Sequence, residues 1–383
     1  MIRPPATSCT VPLRATHGSQ TGTGVRHGLL FAFLASCLFP AGMTGADAIP
    51  AIEIWHGERQ RTGHLGDAQD DFNLLGHIAG WRDLDTLGWS LNDRPDIPLN
   101  FRAFRRLATD GDFNADIPIA RLRPGTNTVK LTARWRDGRS DTRAITIDRG
   151  QGSSRLPLLI DWSRVKDPQD VGQYVDGHWL LTPDGLRTAQ PGYDRIFLLG
   201  ERTWRDYEAR ATIRANRAPA ESAAAGVGLI MRFTGHVVGG PEHFPSGQPK
   251  WGYRPFGAIG WIRWTRGSPA TSPQAQYYPG SKDRPLDLGA VPLQIGVTHA
   301  VRMACETLPD DNGKGVTRYS FKIWPETKPE PEAWTWQRMQ TSADALRTGG
   351  VALLAHQIDV TFGNIQIQPL PDSSPPISAS APN

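Results

Sequence analysis

Apolar and polar residues alternate in short runs along most of the chain, and no long stretch repeats at helical spacing. Alternation is the mark of a half-buried strand, whose successive side chains point to opposite faces. The clearest case is NTVKLTARWRDGRSDTRAITID (127–148), where Val129, Leu131, Ala133 and Trp135 alternate with Lys130, Thr132 and Arg134. Asp137-Gly138 supplies a positive-φ turn, and Ile145 and Ile147 return on the inner face of the predicted hairpin. Further strands are predicted at IEIW (52–55), FNLLGHIAG (72–80), LGWSLN (87–92) and DIPIARL (116–122).

A second strand-rich stretch follows. It holds DGHWLLTPDGLRT (176–188), YDRIFLLGERTWRDYEARATIRA (193–215), GVGLIMRFTGH (226–236) and FGAIGWIRWT (256–265). HAVRMACE (299–306), RYSFKIWPE (318–326) and GGVALLAHQIDVTFGNIQI (349–367) complete it. In the last of these, Leu353, Leu354, Val360, Phe362, Ile365 and Ile367 read as core, with the turn of a sheet at His356-Gln357-Ile358-Asp359. The Gly/Ser-rich break DRGQGSSRLP (148–157) divides the chain into a β-domain at 49–148, a linker at 149–157 and a second β-domain at 158–369. Residues 370–383 are Pro/Ser-rich and are expected to be disordered.

Composition supports an all-β chain: 40 Gly and 32 Pro among 383 residues supply many turns, and the length suits two domains. The net charge of +4 is small and arginine is scattered, so nucleic acid is not an expected partner. Residues 1–48 read as an export signal: Arg26 and His27 precede the apolar run GLLFAFLASCLFP (28–40), and Ala46-Asp47-Ala48 fits a cleavage site. The run is too short for a transmembrane anchor. The polar stretch before it is long for such a leader and fits a translation start near Val25. Leu34-Ala35-Ser36-Cys37 also fits a lipoprotein box with a lipid on Cys37, although Leu38 and Phe39 continue the apolar run. Cleavage after Ala48 is the expectation, giving a periplasmic or extracellular protein, with an outer-membrane lipoprotein as the alternative. It would remove Cys9 and Cys37 and leave Cys305 as a buried thiol beside Val301 and Met303.

LRPGTNTV (122–129) and the Arg136-Asp137-Gly138 turn resemble a late strand of bacterial immunoglobulin-like domains, which implies an Ig-like sandwich over 49–148. The second domain resembles concanavalin-A-like lectin/glucanase jelly rolls of the LamG type. The pieces are LGERTWRDYEARATI, GVGLIMRFTGH, FKIWPETKPEPEAW and GGVALLAHQIDVTFGNIQI, in that order. In that family a K-x-W segment leads into an excursion with E-P and W, matched by Glu330-Pro331 and Trp334. The resemblance implies a jelly-roll sandwich whose concave face meets polysaccharide, and it implies fold more firmly than activity.

Alternation also sorts side chains by face. Arg232 and His236 lie opposite Leu229, Met231 and Phe233; Arg302 opposes Val301 and Met303; Lys322 and Trp324 oppose Phe321 and Ile323; His356 shares a face with Leu354. If these strands share one sheet, Arg232, His236, Arg302, Lys322, Trp324 and His356 line one groove, with Trp261 or Trp264 as a stacking platform for sugar. Any sheet with one solvated face alternates in this way, so the concentration of Arg, Lys, His and Trp is what distinguishes the set. Trp55, Trp89, Trp135, Trp204, Trp334 and Trp336 read as packing residues.

The glucanase spacing E-x-D-x-x-E is absent, and nothing pairs the strand carboxylates Glu208 and Glu306. Jelly-roll polysaccharide lyases use a Tyr, a His and groups that neutralise a uronate; RYSFKIW resembles one of their strands, but their Q-I-H and R-x-E pieces are missing. No cofactor motif occurs. His236, Glu242 and His243 lack zinc spacing, and DGDFNAD (110–116) places Ala115 where a calcium loop needs Gly. DDNGKG (310–315) reads as a hairpin turn. Three readings follow: an exported polysaccharide-binding protein first, a glycoside hydrolase or polysaccharide lyase using the same groove, and a structural or adhesive envelope protein. His356 is expected to contact ligand first and to act as a base second, while Asp359 orders the turn.

Overall fold

The computed structural model describes residues 51–220, 223–237, 248–252, 256–267, 272–280, 284–309, 315–341 and 345–371. The leader with Cys9 and Cys37, the residues Glu242 and His243, positions 310–314 of the expected turn, and the tail from 372 lie outside them. Among the described residues the regular structure is β-strand with short 3-10 turns, and no helix is long and apolar enough to cross a membrane. The described residues belong to one compact unit.

The first part of that unit has eight strands: β1 (Ile52–Ile54), β2 (Arg59–Thr62), β3 (Asp71–Ile78), β4 (Leu84–Leu91), β5 (Ile97–Pro98), β6 (Asp112–Pro118), β7 (Gly125–Trp135) and β8 (Ser140–Arg149). They make a three-stranded sheet β1-β3-β6 and a five-stranded sheet β2-β8-β7-β4-β5. The β7–β8 hairpin pairs Val129 with Ile145, and Gly138 in its turn has φ of 88°. Leu131, Ala133 and Ile147 pack there against Phe72, Leu74 and Phe113 from the other sheet. Strand β6 shows why a half-polar sequence folds as a strand buried on both faces. Phe113, Ala115 and Ile117 enter this core, while Asp112, Asn114 and Asp116 on the opposite face are buried too. Asn114 donates to Asp176 at 3.0 Å, and Asp116 accepts from Arg106 at 3.0 Å and Asn73 at 2.7 Å. Asn114 and Asp116 of the DGDFNAD stretch are thus spent on a polar seam between two sandwiches, while Asp110 and Asp112 bind Ala103 N, Thr109 and His77 within the first. Residues 150–152 are pinned rather than free: Gly150 N donates to Thr62 O at 2.8 Å and Gly152 N to Gly63 O at 2.7 Å.

The second part begins with β9 (Leu158–Ile160), β10 (Gln173–Asp176), β11 (Trp179–Thr182), β12 (Gly185–Thr188), β13 (Arg195–Leu199), β14 (Tyr207–Ala215) and β15 (Ala225–Phe233). It continues with β16 (Ala258–Trp264), β17 (Gln274–Pro279), β18 (Leu286–Ala290), β19 (Thr298–Leu308), β20 (Val316–Pro325), β21 (Trp336–Gln340), β22 (Gly350–His356) and β23 (Val360–Pro369). These strands form a seven-stranded sheet β10-β13-β22-β15-β16-β17-β18 and an eight-stranded sheet β11-β12-β23-β14-β19-β20-β21 with β9 beside β23. Together they are a two-sheet sandwich of the jelly-roll kind. Leu229, Met231, Leu353 and Phe197 from one sheet meet Val301, Met303, Phe321 and Ile365 from the other. Cys305 lies in this core with no exposed surface.

The expected turn at 356–359 is an arch between sheets, because β22 and β23 belong to different ones. Asp359 orders it by accepting hydrogen bonds from Arg187 at 2.9 and 2.7 Å and from Asn216 at 2.9 Å. The outer face of the seven-stranded sheet is apolar as well. Ile196, Leu198, Ile230, Ile259, Ala352 and Leu354 form a second layer there with Ala68 of the first sandwich. A sheet covered on both faces loses the polar half of its alternation, hence the run AGVGLIMRF in β15, buried throughout.

Candidate functional site

The eight side chains expected to share one groove are separated by the sheet order, since β15, β16 and β22 lie in one sheet and β19 and β20 in the other. The premise of a single sheet is therefore corrected. Arg302, Lys322 and Trp324 occupy the outer face of the eight-stranded sheet, inside a closed ion-pair network. Arg302 donates to Glu208 at 2.9 Å and Glu330 at 2.7 Å, and Lys322 donates to Pro331 O at 2.8 Å. The Lys322 ammonium sits 4.8 Å from the centre of the half-buried Trp334 ring, under the Glu330-Pro331 excursion.

Arg232 is fully buried and does not reach the outer face. A bulge between Met231 and Phe233, with Arg232 at φ of 55°, inserts one residue and breaks the alternation. Phe233 takes the outer position, and Arg232 turns inward to Thr317 Oγ1 at 2.7 Å, Thr307 Oγ1 at 3.0 Å and Arg205 O at 3.2 Å. Glycine at 349 is required beside it, because a Cβ there would lie 2.6 Å from the Arg232 Cα. Trp264 is in the core between the sheets, 1% exposed, as its odd spacing from the outward Trp261 dictates. His236 is buried in the seam, 3.4 Å from Asp176, where desolvation and the nearby Arg106 and Lys250 charges hold its pKa well below the usual imidazole range.

His356 and Trp261 do meet, on the outer face of the seven-stranded sheet, among residues that the alternation did not mark. Nδ1 of His356 is 2.7 Å from Asp194 Oδ1. The His356 ring stands edge-on to Tyr193, centroids 5.0 Å apart, and to Trp261 at 6.1 Å. Gln357 N donates to Gly192 O at 2.7 Å, which ties the arch to the turn carrying Tyr193 and Asp194. Trp261 Nε1 donates to Gln276 Oε1 at 2.7 Å, and the Arg263 guanidinium lies 4.6 Å from its ring centre. Gly226 pairs with His356 across the strands, and a Cβ at Gly226 would fall 2.6 Å from the indole, so glycine there lets Trp261 lie over β15. From the first sandwich, Arg105 reaches over: Nη1 is 3.4 Å from the Tyr193 hydroxyl, and its guanidinium stacks 4.3 Å from the Trp251 ring centre.

This arrangement has definite chemistry. A carboxylate accepting the Nδ1 hydrogen fixes the imidazole tautomer and leaves the Nε2 lone pair to accept a hydrogen bond or a proton. Nε2 of His356 has no hydrogen-bond partner among the described residues, and the side chain is 13% exposed. Tyr193 adds a hydroxyl, and Arg105 and Arg263 add positive charge. Trp261 is only 6% exposed, so it is an apolar wall rather than an open platform. Tyr193, Asp194 and Arg105 carry no mark in the alternation, because they come from turns or from the other sandwich. The Gly226-x-Gly228 pattern on the outward face of β15 was the one local signal of a large ring crossing the strand.

The protein is thus an all-β chain whose larger, jelly-roll sandwich carries an aromatic patch centred on a histidine. Comparison with protein-family models and with curated proteins found no match. Among solved structures it is similar to a Crh5 transglycosylase in complex with NAG, at 11% identity and TM-score 0.35, over 57% of this chain and 85% of that one. Alginate lyase Aly36B has 12% identity and TM-score 0.35, over 56% of this chain and 97% of that one. A legume lectin-like domain from Entamoeba histolytica has 8% identity and TM-score 0.36, over 56% of this chain and 97% of that one. No residue role is carried over from any of them.

Proposed function

We propose that this protein binds a polysaccharide at the His356–Tyr193–Trp261 patch. The observation that carries the reading is convergence: an imidazole oriented by Asp194, a tyrosine ring with its hydroxyl and an indole edge meet on one partly open face, from segments far apart in sequence. Sugars are recognised by such mixtures, with ring faces for C–H surfaces and fixed polar groups for hydroxyls. In this reading the first sandwich is an Ig-like module and the second a concanavalin-A-like one. Export rests on the sequence of residues 26–48.

A second reading, a glycan-active enzyme, is favoured by the same Asp194–His356 pair beside Tyr193, which provides a base and a hydroxyl within one site. Affinity electrophoresis of the full chain in gels with neutral and uronate-bearing polysaccharides separates the possibilities, with product release followed in parallel. Retardation by a polymer, lost in Trp261→Ala and His356→Ala, supports binding. New reducing ends or unsaturated products that vanish in His356→Ala shift the reading to an enzyme. A chain with neither signal is a scaffold, and the proposal is wrong.

A further inference from the structure

Arg105 and Arg106 are neighbours in sequence with opposite fates. Arg106 is consumed by the seam: it is 2% exposed, and its guanidinium pairs with Asp116 at 3.0 Å and Asp176 at 2.5 Å. Arg105 pairs with no carboxylate among the described residues; its one hydrogen bond is the 3.4 Å contact with the Tyr193 hydroxyl. It is half-buried and held by rings on several sides, with its guanidinium carbon 4.3 Å from the Trp251 centre, 5.3 Å from Phe104 and 5.7 Å from Tyr193. Such stacking fixes the plane of the fork and leaves its edge to bind.

The backbone is constrained to match. Arg105 has φ of 50°, an unfavourable value for a residue with a Cβ, inside a tight turn closed by paired hydrogen bonds of 3.1 Å between Phe104 and Leu107. The buried Arg106 next to it anchors that turn to the second sandwich, so Arg105 is delivered at a set position beside Tyr193, whose ring in turn meets His356.

Resting on the polysaccharide reading above, we infer that Arg105 is a specificity residue supplied by the first sandwich, which reads a carboxylate on the glycan, so that the ligand is a uronate-bearing polysaccharide. A guanidinium edge matches a planar carboxylate with two parallel hydrogen bonds, which a neutral hydroxymethyl group does not reproduce. The two sandwiches then form one binding unit, with the polar seam as the device that holds the reader in register.

The test compares full-length wild type, Arg105→Gln and Arg105→Lys by affinity electrophoresis in alginate, polygalacturonate and hyaluronan, each beside its carboxyl-reduced form. Wild type is expected to bind at least one uronate polymer about tenfold or more tighter than its reduced form. Arg105→Gln is expected to abolish that preference, with a far-UV circular dichroism spectrum and urea midpoint like those of wild type showing that the variant is folded. Arg105→Lys is expected to recover only part of it, because an ammonium lacks the planar fork. Equal binding of native and reduced polymers by wild type overturns the carboxylate assignment and leaves the polysaccharide reading standing, as does an intact preference in Arg105→Gln. Retention of wild type by none of the polymers, neutral ones included, overturns both.

Discussion

Replacing Arg106 by Met removes a guanidinium from the seam while keeping most of its volume. Arg106 donates to Asp116 on β6, to Asp176 on β10 and to the backbone oxygens of Lys250 and Val175, and both carboxylates are 1% exposed or less. In the variant Asp116 keeps Asn73 at 2.7 Å and the Lys250 amide at 2.5 Å, whereas Asp176 keeps Asn114 at 3.0 Å and the His236 ring at 3.4 Å. Removing one partner of a buried pair costs about 3–5 kcal/mol, because the remaining charge stays uncompensated. That cost should depend on pH in a defined direction. Burial already pushes the Asp176 carboxyl up to about 7, against the downward pull of Arg106. With its folded pKa above the unfolded value of about 3.9, the group's contribution is fully present below that value and is lost as pH rises. In the wild type the loss is complete a little above pH 7. Without Arg106 the folded pKa rises further and the loss continues, by up to about 1.4 kcal/mol per pH unit. Urea unfolding followed by tryptophan fluorescence should therefore show a destabilisation of about 2 kcal/mol at pH 6 that grows, mostly above pH 7, to roughly 3.4 kcal/mol at pH 8. A penalty below about 1 kcal/mol, or one equal at both pH values, would refute the assignment of this pair as the seam's main electrostatic contact.

Other substitutions separate the candidate site from its surroundings. Gly226→Ala should displace the Trp261 indole, destabilising the fold by about 1–3 kcal/mol in urea titrations and weakening glycan retention. Arg232→Met should cost about 3–5 kcal/mol, seen in the same titrations, because Asp206, Thr307, Thr317 and the Arg205 carbonyl lose a buried donor. The pair Arg302→Gln with Lys322→Gln, on the far sheet, should leave affinity in polysaccharide gels within about twofold of wild type, a change under about 0.5 kcal/mol.

How far such a site can be seen in advance depends on the range of the interactions that build it. Period-two alternation is local, so the β7–β8 hairpin, the inward Val301, Met303 and Cys305, and the opposite facing of Trp261 and Trp264 follow directly from it. Alternation says nothing about which sheet a strand joins. That depends on pairings such as Gly226 with His356, between segments far apart in the chain, and so alternation alone does not separate Arg302, Lys322 and Trp324 from a sheet they do not enter. One inserted residue at Arg232 reverses every face beyond it, and no composition signal marks such a bulge. The seam was hidden for another reason. Asp112, Asn114 and Asp116 look like a solvated or metal-binding row until Asp176 and the buried Arg106 are brought against Asn114 and Asp116, and His77 against Asp112. Asp194 and Tyr193 read as the start of a strand because their partner, His356, arrives on the arch between two sheets.

A crystal structure of the full chain soaked with a uronate oligosaccharide tests the placement of the site most directly. Sugar density is expected against His356, Tyr193 and Trp261, with a carboxylate within hydrogen-bond distance of Arg105. Density on the outer face of the eight-stranded sheet instead, over Trp324 and Arg302, would contradict it.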